Sequence, residues 1–144
     1  MSPFPRITEL VPHAAPMLAV DELLHWEPGH ATLRLVISDE DLFVVDGEVD
    51  AICALEYMAQ GVAACLGQAS WVAGDSVRVG MVISCREMNL ERTSFRVGEE
   101  FTLEAHCVRE SGYVSHFETE MRDAQGTPMA SATMTLVHSD KPPE

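Results

Sequence analysis

The stretch Val49-Asp50-Ala51-Ile52-Cys53-Ala54-Leu55-Glu56-Tyr57-Met58-Ala59-Gln60-Gly61-Val62-Ala63-Ala64-Cys65-Leu66-Gly67 is the only long helical pattern in the sequence. Ile52, Leu55, Ala59, Val62, Ala63 and Leu66 recur at the i, i+3, i+4, i+7 spacing of a buried helix face. The residues around that face are also apolar or small, which predicts a helix covered on most of its circumference. Asp50 is placed to cap it. One carboxylate, Glu56, sits in its middle, on the same side as Ile52, Ala59, Gln60 and Ala63. A carboxylate in such a place is paired, at a wet crevice, or held at a raised pKa. Each of these states has a functional use.

A helix this apolar needs a sheet around it, and the flanking sequence supplies one. On the N-terminal side, residues 7–11 read as one helical turn between Pro5 and Pro12. Residues 17–26 and 31–37 read as two strands joined at Glu27-Pro28-Gly29-His30. An acid-rich loop, residues 38–48, leads into the helix. On the C-terminal side Ala73-Gly74-Asp75 is a turn, and the pattern then changes to period two over residues 77–88, 100–109, 113–122 and 128–137. Turns at Glu110-Ser111-Gly112 and Asp123-Ala124-Gln125-Gly126 predict that the last three strands form an antiparallel meander. One helix and about six antiparallel strands make an α+β fold, a curved sheet wrapped on a central helix. Such a sheet leaves an edge strand, which invites sheet-to-sheet dimerisation.

With 144 residues, of which 47% are hydrophobic, the chain is read as one domain over residues 1–144 with flexible ends at 1–6 and 139–144. Nine Lys plus Arg stand against 23 Asp plus Glu, a net charge of −14. That argues against nucleic acid and anionic membranes as partners. Cys53, Cys65, Cys85 and Cys107 form no CxxC pair and no Cys/His metal spacing, so free thiols in a reducing cytoplasm are expected. The N-terminal segment lacks the apolar core of a signal peptide, and no run is long enough for a transmembrane helix.

Two motifs resemble a known family. Leu10-Val11-Pro12-His13-Ala14-Ala15-Pro16-Met17-Leu18-Ala19-Val20-Asp21 resembles the opening L-x-P-H-R-x-P-x-L-L-V-D of β-hydroxyacyl-[acyl carrier protein] dehydratases. Leu55-Glu56-Tyr57-Met58-Ala59-Gln60 resembles their helix motif L-E-x-M-A-Q, and Val97-Gly98-Glu99-Glu100 falls where they have a Pro-Gly-Asp turn. The likeness covers residues 8–137 and is greatest to the short dehydratase-like subfamily of aryl-polyene lipid clusters. It implies a hotdog fold, dimerised edge to edge, with an active site at the subunit interface and an acyl tunnel along the helix. It also implies elimination of water from a 3-hydroxyacyl thioester, carried on acyl carrier protein or coenzyme A. Partners would be a second copy or another hotdog subunit. The family's catalytic histidine precedes the helix; here the matching stretch, Leu42-Phe43-Val44-Val45-Asp46-Gly47-Glu48-Val49-Asp50, is shorter and contains no histidine.

Dehydration needs a base for the C2 proton, an acid for the C3 hydroxyl and a donor for the thioester oxygen. Glu56 matches the family's acid; the alternative is a carboxylate hydrogen-bonded within an interface. His13, held between prolines, is the remaining candidate base; the alternative is a histidine that pins the N-terminal turn to the helix. Gln60, one turn beyond Glu56, is placed to orient it or a bound water, or to contact neighbouring strands. Asp46 and Gly47 could present a polar group and a close backbone to the thioester, or form a plain Asp-Gly turn. Backbone N–H groups near residues 46–49 or at the helix start are the expected donors. His25, His30 and His138 read as strand or turn residues on the surface, and His106 and His116 as sheet-face residues. No His, Asp or Cys set has metal-ligand spacing, so neither metal nor cofactor is expected. The rival functions are a non-catalytic partner subunit of a heteromeric dehydratase and an acyl thioesterase.

Overall fold

A computed structural model describes residues 3–13, 16–75 and 79–139. It contains one long helix, α1 (Ala54–Ala73), and eight strands: β1 (Glu22–Glu27), β2 (His30–Val36), β3 (Glu48–Asp50), β4 (Val79–Leu90), β5 (Ser94–Arg96), β6 (Glu100–Ser111), β7 (Val114–Asp123) and β8 (Pro128–Ser139). Six of them form a curved antiparallel sheet in the order β1-β2-β6-β7-β8-β4, and β3 and β5 pair separately. The helix packs across β2, β6 and β7. Burial alternates along β2 and β7, and Leu33, Leu35, Leu103, Phe117 and Met121 point under the helix. Each such fully buried side chain contributes about 1.5–3 kcal/mol of transfer free energy. This is the α+β architecture expected, with the β6-β7-β8 meander in place.

Several boundaries differ from the sequence reading. The helix starts later and runs further. Asp50 accepts a 2.9 Å hydrogen bond from the Ile52 N–H, but the turn it caps, Ala51–Cys53, is a 3-10 turn that leads into α1. At the other end α1 continues to Ala73 and stops at Gly74 in the left-handed conformation. The deepest face is also rotated from the expected one. Ala54, Tyr57, Met58, Gly61, Ala64 and Cys65 are buried; of the expected face Val62 is buried too, whereas Leu55, Ala59, Ala63 and Leu66 are half-buried and Ile52 is 56% exposed. Period alone could not choose between the two faces, because both are apolar.

The first strand is shorter than predicted. Met17 lies in a turn and residues 18–20 join no strand; the Met17 carbonyl and the Ala19 and Val20 N–H groups bond to Gln60 of the helix rather than to a neighbouring strand. The pairing of β3 with β5 was not foreseen, since three-residue strands carry no period. Residues 77 and 78 of the predicted post-helix strand, the tail residues 140–144 and the side chain of His138 lie outside the described residues.

Strand β4 is one edge of the large sheet. It pairs with β8 alone among the described strands, and Ile83 on it is 56% exposed, with Val82 and Leu90 also partly exposed. A twelve-residue edge with open backbone groups and apolar side chains is a template for another chain. Among the described residues no helix is long and apolar enough to cross a membrane.

Candidate active site

The site is assembled where the N-terminal segment crosses α1. Gly67 permits the crossing. A Cβ built on it would stand 1.7 Å from the Leu10 carbonyl oxygen, so only glycine lets the segment lie this close. Leu10 and Val11 are buried there, and the chain then turns at Pro12 to present His13.

Gln60 ties down the rest of the segment. It is fully buried, and both ends of its amide are used. Its Oε1 accepts from the Ala19 N–H at 2.9 Å and the Val20 N–H at 3.3 Å. Its Nε2 donates to the Met17 carbonyl at 2.8 Å and to Glu56 Oε1 at 3.1 Å. Glutamine suits this position because it carries an acceptor and two donors on one planar group.

Glu56 thus has one oxygen held from behind. The same Oε1 lies 3.5 Å from His13 Nε2, and the two side chains are 32% and 27% exposed. Among the described residues Glu56 Oε2 has no hydrogen-bond partner. His13 Nδ1 is buried without a partner among them. The structure therefore brings His13, Glu56 and Gln60 together. Gln60 orients Glu56 from within the protein, and its saturated amide has no atom left for a ligand.

Asp46 and Gly47 lie elsewhere, at an exposed hairpin tip. Val45 and Glu48 exchange hydrogen bonds of 2.8 and 3.1 Å across them. Asp46 has φ 52° and Gly47 φ 78°, the pair of left-handed residues that a type I′ turn requires. This is the plain Asp-Gly turn, one of the two readings open at the sequence level. Three of the donors expected near it or at the helix start are occupied: the Glu48 N–H by Val45, the Ala51 N–H by the Thr93 carbonyl at 3.0 Å, and the Ile52 N–H by Asp50.

A contact that the sequence reading missed fixes the loop before the helix. The Tyr57 hydroxyl donates to Asp41 Oδ2 at 2.8 Å, while Asp41 Oδ1 accepts from the Phe43 N–H at 2.8 Å. Burial and the adjacent Asp41 carboxylate raise the Tyr57 pKa far above its ordinary value, so the phenol stays a donor. A tyrosine inside a helix this apolar needs a partner for its hydroxyl, and that was the available signal.

Two cavities lie on this side of the fold, and neither is lined by His13 or Glu56. One of about 320 Å³ lies between residues 16–21 and 36–41. The other, of about 210 Å³, lies between the C-terminal half of α1 and the sheet, lined by Cys65, Leu66, Ala69, Ala73, Cys107 and Phe117 among others. The half-buried Ala59, Ala63 and Leu66 lead towards it from Glu56 along one side of the helix. Burial pushes the Cys65 thiol up to about 12.

A central helix wrapped by a six-stranded antiparallel sheet defines a hotdog-fold protein. The chain matches the model of the ApeP-like family, described as ApeP dehydratase, over residues 5–144, and it belongs to that family. Among solved structures it is similar to the dehydratase heterocomplex ApeI:P from Xenorhabdus doucetiae, with a TM-score of 0.88 and 19% identity over 96% of this chain and 93% of that one. It is also similar to a hypothetical thioesterase with coenzyme A from Streptococcus pneumoniae (TM-score 0.64, 12% identity, 82% and 84% covered). A third likeness is to the PaaI protein of the phenylacetic acid degradation operon of E. coli (TM-score 0.63, 10% identity, 81% of each chain). At these identities the structures establish the fold. No curated protein matches the chain in sequence.

Proposed function

We propose that this chain is one subunit of a heteromeric hotdog dehydratase that removes water from a 3-hydroxyacyl thioester on a carrier protein or coenzyme A, in the cytoplasm, during fatty acid or polyketide-type lipid synthesis. The observation that carries the reading is the 3.5 Å approach of His13 Nε2 to Glu56 Oε1, with Gln60 behind the carboxylate. In this reading His13 takes the C2 proton. The C2–H electron pair forms the C2=C3 bond, and the C3–O bond breaks. Glu56 delivers a proton from Oε2, so that the oxygen leaves as water and a trans-2-enoyl thioester remains. The acyl chain lies along Ala59, Ala63 and Leu66 towards the apolar cavity. From Glu56 to Leu66 is about 15 Å at the helical rise.

The partner subunit is another hotdog chain. The similarity to the ApeI:P dehydratase heterocomplex supports that assembly, as do the open β4 edge and the exposed Ile52, Leu42 and Val45 near the helix start. The partly exposed dyad, with Glu56 Oε2 free of hydrogen bonds among the described residues, fits a site that a second chain completes. The Glu48, Ala51 and Ile52 N–H groups are already bonded, so the thioester donor is another N–H of residues 46–53 or comes from across the interface.

A second reading is a non-catalytic partner subunit. The pre-helix loop, which contains no histidine, favours it. Enoyl formation from a 3-hydroxyacyl pantetheine thioester separates the two. The dehydratase reading expects activity of the complex that falls at least about a hundredfold in Glu56→Gln of this chain. Full activity of that variant complex leaves only the partner-subunit reading. Release of free thiol without enoyl product would instead identify a thioesterase.

A further inference from the structure

The outer face of the sheet carries a cluster that the dehydratase reading does not use. Across all six strands one transverse row reads Glu27, His30, His106, Glu118, Thr133 and Glu87, each directly opposite the next. At its β1 end His25 joins Glu27 and His30. One ligand atom from each of these three lies within 4.8 Å of the others. His30 Nδ1 is 3.6 Å from Glu27 Oε1, and the His25 and His30 rings are 5.9 Å apart. We infer that His25, Glu27 and His30 form a binding site for a divalent first-row transition ion.

Two imidazoles and a carboxylate are the donor set such ions prefer, whereas calcium and magnesium take oxygen ligands. Ligand atoms around one tetrahedral ion at ordinary bond lengths stand about 3.4 Å apart. Binding requires the present separations, within 4.8 Å, to close to that by rotamer changes, for which the exposed His25 and Glu27 have room. The backbone beneath them is already fixed. Glu27 and His30 are a cross-strand pair at the end of the β1–β2 hairpin, and the Gly29 carbonyl in its turn accepts a 2.7 Å hydrogen bond from the Cys107 N–H of β6. Behind the ligands His106 meets the His30 ring edge-on at 6.0 Å between centroids, with Glu118 opposite it. That ring contact packs against the His30 imidazole from behind. The surrounding field also favours a cation, since Glu104, Glu118 and Glu120 share this face. The sequence reading found no metal spacing because His25 and His30 stand on two strands. The hairpin closes a gap that linear spacing does not show.

The test is a titration of the full-length chain, free of any affinity tag, with cobalt(II) followed by absorption. The inference expects saturable one-to-one binding with ligand-field bands and no thiolate charge-transfer band. His25→Ala and His30→Ala should each weaken it at least about tenfold, and Glu27→Gln likewise. His116→Ala, on β7 against Thr135, should leave it unchanged. Melting curves without metal show that each variant is folded. A thiolate band, which the exposed Cys85 would give, overturns the assignment. So does equal affinity in the His25 and His30 variants, or no saturable binding.

Discussion

Replacing Gln60 with leucine tests how the site is held together. Leucine fills a similar volume but makes none of the four hydrogen bonds, so two backbone N–H groups, the Met17 carbonyl and Glu56 lose their partner. A buried polar group left unsatisfied costs about 1–3 kcal/mol. The Ala19 and Met17 contacts are partly open to water, while the Val20 N–H is buried. The loss therefore falls near 2–4 kcal/mol rather than at the full sum, against about 5–15 kcal/mol for a whole domain. Urea unfolding should show a lower midpoint with an unchanged slope. Gln60→Glu keeps an acceptor for the Ala19 and Val20 N–H groups but puts a second carboxyl against Glu56, so it should lose less stability than leucine yet still impair catalysis. A leucine variant within about 1 kcal/mol of the parent would refute the claim that this amide carries the N-terminal segment.

Other perturbations follow from the same contacts. Gly67→Ala forces the Leu10 backbone away from the helix. It should cost about 1–3 kcal/mol and lower activity, measured by unfolding and turnover together. The Arg92 guanidinium, hydrogen-bonded to Glu99 at 2.7 Å, holds the Glu99 carboxyl below its ordinary value of 4.5. A depressed pKa in the folded state gives stability that is present above about 4.5 and lost as the pH falls below it. Melting temperatures of Glu99→Gln should accordingly lie closer to the parent's at low pH than at pH 7. Burial raises the Asp21 pKa, which works in the opposite sense, so an acid limb as steep in Glu99→Gln as in the parent would disprove the assignment. A maleimide should label the exposed Cys85 first and leave Cys65, buried with its pKa pushed up to about 12, unlabelled until urea unfolds the chain; mass spectrometry reads the order.

The fold was legible because its parts have periods and punctuation. The apolar run named the helix, and turn residues at 110–112 and 123–126 named the meander. What failed had no local signal. The Ile52 face and the Tyr57 face are both apolar, so only the sheet decides which is inside. Residues 17–20 read as strand but are satisfied by one side chain from the helix. The site was legible in identity more than in arrangement. Helical spacing put Gln60 behind Glu56, and motif likeness singled out His13. The crossing that joins them depends on the missing side chain of Gly67, which nothing in local spacing marks. Asp46 and Gly47 read first as a turn, with a site as the alternative, and two positive φ values show the turn.

The central claim is that Glu56 and His13 of this chain do chemistry. The most direct measurement is single-turnover enoyl formation from a 3-hydroxyacyl thioester by the reconstituted complex, comparing the parent chain with Glu56→Gln and His13→Ala at matched stability. Both variants should lose at least about a hundredfold in turnover, with substrate binding retained. Parent-like turnover in both variants would contradict the claim and place the chemistry wholly in the partner.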